Sequence, residues 1–393
     1  MRLYKKRLSW IILSLFFFIY PVYAEEFNIT GENVILYNLN DDRVLYNKNE
    51  KDKTQIASLT KIMTTLVALD NINNLNESVT ITLKDFEGTN GYSKAGFKVG
   101  DIVTYEDLLY GVLLPSGADA VNAVVNSTCG YDSFVKKMNE KALEIGMNDT
   151  KFSNPIGKDD DENYSTASDV AKMLKYALKN DEFKKIFTTK KYTTTNGIIL
   201  NSTLNSYSDF LKIGIIDGAK SGFTKKAGRC LASVTNLNGV NYLLVIINSS
   251  TDEAYSAVED TINIYSYYDE NYSYQTIISD DTFIKDVSVY LSKTKTYKIT
   301  GSEDVKIYLK NGSDVTYVYD GIDNITYKTK KGTKLGIVKI YDGETLLAES
   351  SVYLEDNISY YPLEIVYGFI IVIIFIIIRI KRKKRRRRKK WLK

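Results

Sequence analysis

The sequence predicts an α/β (α+β) domain, then a small all-β sandwich, then one C-terminal transmembrane helix with a basic tail. Three observations carry this. Up to about residue 272, apolar runs with helical spacing are mixed with short strand-like runs. From 273 to 358, near-alternating strands are separated by turn pairs and no helical period remains. Residues 361–380 are then almost wholly apolar, with Glu364 at the outer edge, and residues 381–390 are all Lys or Arg.

The elements follow in order. Residues 34–37 and 43–46 flank the turn-rich 38–42, a hairpin pattern. Residues 58–70 read as a largely buried helix. Thr104 ahead of Tyr105-Glu106-Asp107 reads as a capped helix start running to Leu113. Helical runs follow at 118–126, 131–145 and 167–178. The apolar runs 230–235 and 242–247 surround Asn238-Gly239, a strong hairpin signal, and 254–268 is an amphipathic helix that would pack on that sheet. In the all-β part, 287–291, 305–309 and 336–340 are strands, with Asn311-Gly312, Lys331-Gly332 and Asp342-Gly343 as turns.

The two ends agree with each other. Residues 1–24 combine a basic start, an apolar run at 10–20 and a small-residue site at Ala24, so a cleaved secretory signal peptide is expected, with an uncleaved anchor as the alternative. A span needs about 20 apolar residues, which 361–380 provides. The basic segment 381–393 would stay in the cytoplasm and everything before the span outside. Residues 25–362 carry 36 Lys+Arg against 47 Asp+Glu, so the overall +4 comes from the termini. A basic run beside a membrane helix meets anionic lipid, so membrane lipid is an expected partner and nucleic acid is not. Cys129 and Cys230 could pair in an exported chain, but each sits in an apolar stretch, where a buried free thiol is the commoner state.

The chain has no histidine, which excludes a Ser-His-Asp triad and a histidine-ligated zinc. Ser58-Leu59-Thr60-Lys61 puts a hydroxyl and an amine on one helical face, one turn apart. Peptide hydrolysis by a serine needs a base, an oxyanion hole and a proton donor for the leaving amine. Lys61 can be the base if burial and a neighbouring cation such as Lys220 lower its pKa. The backbone N–H of Ser58, at a helix start, is a natural oxyanion donor. Asp159-Asp160-Asp161-Glu162 lacks the ligand spacing of a calcium loop and reads as solvated; no metal or cofactor is expected.

Two further elements accompany Ser58 and Lys61 in fixed order: Pro115-Ser116-Gly117 opening a helix, and Lys220-Ser221-Gly222. The set resembles that of penicillin-recognising serine enzymes of β-lactamase/transpeptidase-like fold. Residues 56–64, 152–157, 164–169, 217–224 and 227–231 are more specifically similar to the serine D-Ala-D-Ala carboxypeptidases, the low-molecular-mass penicillin-binding proteins. The resemblance covers about residues 27–270, and the β-module and C-terminal membrane attachment match that family's organisation. It implies domains at 25–272 (catalytic), 273–358 (β-sandwich), 361–380 (span) and 381–393 (tail). It also implies Ser58 as nucleophile, Lys61 as general base and Ser116 as proton relay. Lys220, Ser221, Gly222, Phe223 and Thr224 would bind substrate, with the Phe223 N–H as second oxyanion donor and Lys220 and Ser221 on the terminal carboxylate.

The expected function is a membrane-anchored serine-type D-Ala-D-Ala carboxypeptidase that trims peptidoglycan stem pentapeptides through an acyl-enzyme and is inhibited by β-lactams. Three departures from the family pattern stand out: Ala118 where an Asn is usual, Ile156 where a histidine is common, and Ser221 for Thr. Ala118 motivates an alternative, a weakly active or non-catalytic peptidoglycan-binding relative, unless Asp119 or solvent substitutes for the missing amide. A D,D-endopeptidase is a second alternative. A β-lactamase shares the motif order, but the membrane helix and β-module argue against it.

Overall fold

The computed structural model describes residues 27–359 and 363–391. The signal-peptide expectation lies outside the described residues. One compact unit ends at Glu270 and a second begins at Asn271.

In the first unit, β1 (Asn33–Asn38) and β2 (Arg43–Lys48) form the expected hairpin. The Asn38 side chain organises its turn by accepting the Asn40 N–H at 2.9 Å. A single 3-10 turn, Ala57–Leu59, leads into α1 (Thr60–Asn71), so Ser58 sits just before the helix rather than in it. The short pair β3 (Ser78–Thr80) and β4 (Ile102–Thr104) precedes α2 (Tyr105–Leu113). There the Thr104 hydroxyl accepts the Asp107 N–H at 3.2 Å and the Asp107 carboxylate accepts the Thr104 N–H at 2.9 Å, the reciprocal cap expected from the sequence. Next come α3 (Ala118–Ser127), α4 (Tyr131–Ile145), α5 (Ala167–Ala177) and α6 (Asp181–Thr188). The short pair β5 (Lys191–Thr193) and β6 (Ile199–Asn201) follows. The unit closes with β7 (Gly218–Thr224), β8 (Gly228–Leu237), β9 (Val240–Ser249) and α7 (Ser256–Asn271).

Five strands make one antiparallel sheet in the order β2-β1-β9-β8-β7. The turn Asn238-Gly239 has φ 49° and 83°, as a two-residue hairpin loop requires. The sheet is covered on both faces, which is why β8 and β9 read as apolar runs rather than alternating ones. Leu243, Val245 and Ile247 join the core formed with α1 to α6. On the other face of β9, Tyr242 packs at a tilt against Tyr265 of α7, 6.1 Å between ring centroids. The Asp260 carboxylate of α7 accepts bonds from the Thr30 and Gly31 N–H groups and the Ser249 hydroxyl, tying helix, sheet and N-terminal lead together.

The second unit contains β10 (Tyr272–Ile278), β11 (Phe283–Tyr290), β12 (Thr296–Thr300), β13 (Val305–Lys310), β14 (Val315–Gly321), β15 (Asn324–Thr326), β16 (Lys334–Asp342) and β17 (Thr345–Tyr353). They form three sheets, β10-β13, β12-β11-β15 and β14-β16-β17, over one core that includes Val287, Ile307, Val338 and Val352. Asn311-Gly312 and Lys331-Gly332 fall between consecutive strands, and Asp342-Gly343 starts on the last residue of β16 and leads to β17. α8 (Leu363–Trp391) then presents exposed apolar side chains from Ile365 to Ile378, followed by exposed basic ones. Among the described residues no helix is long and apolar enough to cross a membrane. The expected 361–380 span is thus a helix from Leu363 whose apolar run ends at Arg379. Cys129 and Cys230 are both free thiols.

The turn that carries Ser58 depends on one glycine. Gly157 has φ +86°, and a Cβ there would lie 2.0 Å from the Ala57 carbonyl oxygen. Gly157→Ala should cost about 2–4 kcal/mol from strain and overpacking. Differential scanning calorimetry should show a clearly lower Tm, and an unchanged Tm would refute this account of the packing.

Candidate active site

Three segments from distant parts of the chain converge on one cavity of about 280 Å³, lined by Ser58, Lys61, Ser116, Ser221, Gly222 and Phe223 among others. Ala57, beside Ser58, has φ 45°, a left-handed conformation unusual for a residue with a Cβ. Ser116, in the turn between α2 and α3, has φ 64° and is buried. Such conformations cost about 1–3 kcal/mol each and persist where surrounding packing over-determines them. Gly222 on β7 passes so close that a Cβ would stand 3.0 Å from the Ser58 nitrogen. The third motif therefore needs its glycine to let the edge strand approach the serine.

Lys61 Nζ donates to Ser58 Oγ at 2.9 Å and to the Ile156 carbonyl at 2.7 Å. The lysine is 1% exposed. Its pKa is pushed well below the usual lysine value, first by burial and then by the charge of Lys220, with Asp119 opposing. Lys220 is buried too, and burial brings its pKa down to about 7. Its ammonium donates to the Ser221 carbonyl at 2.7 Å. The arrangement gives Ser58 a neighbouring amine that favours its neutral, proton-accepting form.

The segment Asn154-Pro155-Ile156-Gly157 holds this geometry. The Asn154 side-chain oxygen accepts the N–H groups of Gly157 (2.8 Å) and Lys158 (2.9 Å), and the Thr64 hydroxyl bonds the Pro155 carbonyl at 2.6 Å. Ile156 thus contributes its main-chain oxygen to Lys61, while its side chain is buried in the core. Ala118 is fully buried and its N–H donates to the Ser93 carbonyl at 2.8 Å. Asp119 does not take over a hydrogen bond to Lys61. Its two oxygens accept the N–H groups of Ala95 (2.7 Å) and Gly96 (3.2 Å), which anchors the loop carrying Tyr92 and Ser93 on the cavity wall. It acts on Lys61 through its charge alone.

Not every expected residue reaches the cavity surface. Lys220 is buried and does not line it, and the Thr224 hydroxyl caps the β7–β8 turn by accepting the Ala227 N–H at 3.0 Å. The sequence reading also passed over Thr203, whose hydroxyl meets that of Ser221 at 2.7 Å, and Tyr92, Tyr207 and Arg229 on the wall. Of these only Arg229 left a signal, as a charge at the start of an apolar strand. The acidic run at 159–162 is engaged locally: Asp160 accepts the Ser153 hydroxyl, and Asp161 and Glu162 pair with Lys226 and Lys151.

Residues 21–251, more than half of the chain, match the D-alanyl-D-alanine carboxypeptidase family. The chain belongs to that family. It is a low-molecular-mass penicillin-binding protein and a serine peptidase with a cell-wall role. Residues 272–360 match the C-terminal domain of penicillin-binding protein 5. D-alanyl-D-alanine carboxypeptidase DacF of Bacillus subtilis is 28% identical over 343 residues, covering 83% of this chain and 85% of that protein. A D-alanyl-D-alanine endopeptidase of Pseudomonas aeruginosa is 31% identical over 236 residues, 56% of this chain and 72% of its own. The crystal structure of penicillin binding protein 5 from Haemophilus influenzae shares the fold, with a TM-score of 0.63 at 23% identity over 86% of this chain and 99% of that one.

Two expectations follow for members of the family built this way. Asp119→Ala strips two amides of their acceptor and should slow acylation by a β-lactam about tenfold or more, at about 1–3 kcal/mol per unsatisfied group. Stopped-flow acylation at the wild-type rate would show that the loop needs no such anchor. Lys220→Met removes the neighbouring charge that adds to burial in lowering the Lys61 pKa, so Lys61 becomes protonated at a higher pH than in the wild type. The acid limb of the acylation–pH profile should move to higher pH, and a limb that stays or moves down contradicts the coupling.

Proposed function

We propose that this chain removes the terminal D-alanine from peptidoglycan stem pentapeptides through an acyl-enzyme on Ser58. The observation that carries the reading is the buried Lys61 amine 2.9 Å from Ser58 Oγ, in a cavity shared with Ser116 and the edge strand β7. Neutral Lys61 accepts the Ser58 proton as Oγ attacks the penultimate D-Ala carbonyl carbon. The N–H groups of Ser58 and Phe223 receive the developing oxyanion. The C–N bond breaks, and the proton on Lys61 passes through Ser116 to the leaving D-alanine nitrogen. Water then attacks the ester, with Lys61 again as base, and Ser58 is released. Ser221 contacts the terminal carboxylate, Lys220 adds its charge from a buried position, and Gly222 and Thr224 shape that strand.

The relatives support the reaction class, since the Bacillus subtilis protein is named for D-Ala-D-Ala carboxypeptidase activity. The Ile156 carbonyl on Lys61 weighs against the non-catalytic reading, because it occupies the amine where the usual Asn is missing. Cleavage of cross-links is a second reading, favoured by the similarity to an endopeptidase. Membrane attachment is also proposed, as a single pass with the catalytic unit outside. The exposed apolar side chains of α8 and the basic segment beyond them support it.

Intact mass of the full chain after exposure to a penicillin is the direct test. The wild type should gain one penicillin mass and Ser58→Ala none, and the wild type should release D-alanine from a pentapeptide. Equal labelling of both proteins would defeat the assignment of Ser58.

A further inference from the structure

The proposed reaction leaves one chemical need unmet on the cavity surface. A peptide ending in D-alanine carries a full negative charge, which must be desolvated to enter and therefore wants a charge-assisted partner. Lys220 is 1% exposed, does not line the cavity, and spends a hydrogen bond on the Ser221 carbonyl. Arg229 does line the cavity. It is the cross-strand partner of Phe223, and its guanidinium lies 4.0 Å from the centre of the Phe223 ring, a cation–π contact that holds the planar group. Its Nε is buried without a hydrogen-bond partner, and among the described residues no carboxylate pairs with it. A guanidinium held in place, permanently charged and unmatched is suited to a carboxylate from outside the chain.

We propose that Arg229 binds the terminal carboxylate of the substrate, beside the hydroxyl pair of Ser221 and Thr203. The inference rests on the carboxypeptidase reading above and adds the residue that selects a free C-terminus. It divides the labour of the two nearby cations. Lys220, buried, lowers the Lys61 pKa by its charge, and Arg229 meets the ligand. Because a guanidinium does not titrate, recognition of the carboxylate persists at pH values where Lys220 has lost its proton.

The test compares kcat/KM of the full-length wild type, Arg229→Gln and Arg229→Lys on a pentapeptide ending in D-Ala-D-Ala and on the same peptide with a C-terminal amide. The wild type should prefer the free carboxylate. Arg229→Gln should reduce that preference about tenfold or more, mainly through KM, and Arg229→Lys should retain an intermediate preference. Acylation of Ser58 by a penicillin and by its methyl ester gives the same ratio without turnover, and adduct formation shows that each variant is folded. A preference that Arg229→Gln leaves intact overturns the inference alone. A wild type that forms no penicillin adduct and releases no D-alanine overturns the carboxypeptidase reading and the inference with it.

Discussion

A lysine amine buried to 1% exposure imposes the main constraint on this molecule. Water no longer solvates the charged form, so the amine either finds a counter-ion or becomes a base. Here it meets no carboxylate. It meets a serine hydroxyl, a peptide carbonyl and the field of a second buried lysine. Everything near Lys61 follows from supplying those partners at the right distance. Ile156 must bring its carbonyl to 2.7 Å, which requires Asn154 to cap the following N–H groups and Thr64 to hold Pro155. Gly157 must lie against the Ala57 carbonyl, where no side chain fits.

Two residues flanking this arrangement store strain. Ala57 and Ser116 both occupy the left-handed region, one beside Ser58 and the other at the second serine. The cost is met by the large core of α1 to α6 and the sheet, which fixes both ends of each turn. The benefit is that neither hydroxyl has to reorganise as charge develops. The strand order adds the remaining wall. With β7 at the edge, its outer row of N–H and C=O groups is unpaired by the sheet and lies next to the cavity.

The second unit has its own hydrophobic core, and every residue lining the catalytic cavity falls between Ser58 and Val258. The cavity thus belongs wholly to the first unit. The β-strands from β10 onward end in α8, whose exposed apolar surface is unlike that of any helix in the first unit.

The sequence by itself determined the ordered trio Ser58/Lys61, Ser116 and Lys220-Ser221-Gly222, the helices α3 to α5, the Asn238-Gly239 hairpin and the all-β character after residue 272. These signals are local: a turn pair, a capping pair, a helical period or a motif spacing survives in one dimension. It did not reveal β7, which reads Gly-Ala-Lys-Ser-Gly-Phe-Thr and has little strand propensity, because pairing with β8 is what makes it a strand. It did not reveal α6, eight polar-rich residues whose cap is a single Asn180 contact. Nor could it show that Asp119 anchors a backbone loop, that Ile156 acts through its carbonyl, or that Lys220 is buried off the cavity surface while Arg229 lines it. Those outcomes depend on which atoms from distant segments come within three ångströms, and side-chain direction at an edge strand is fixed only when the whole sheet has closed around it.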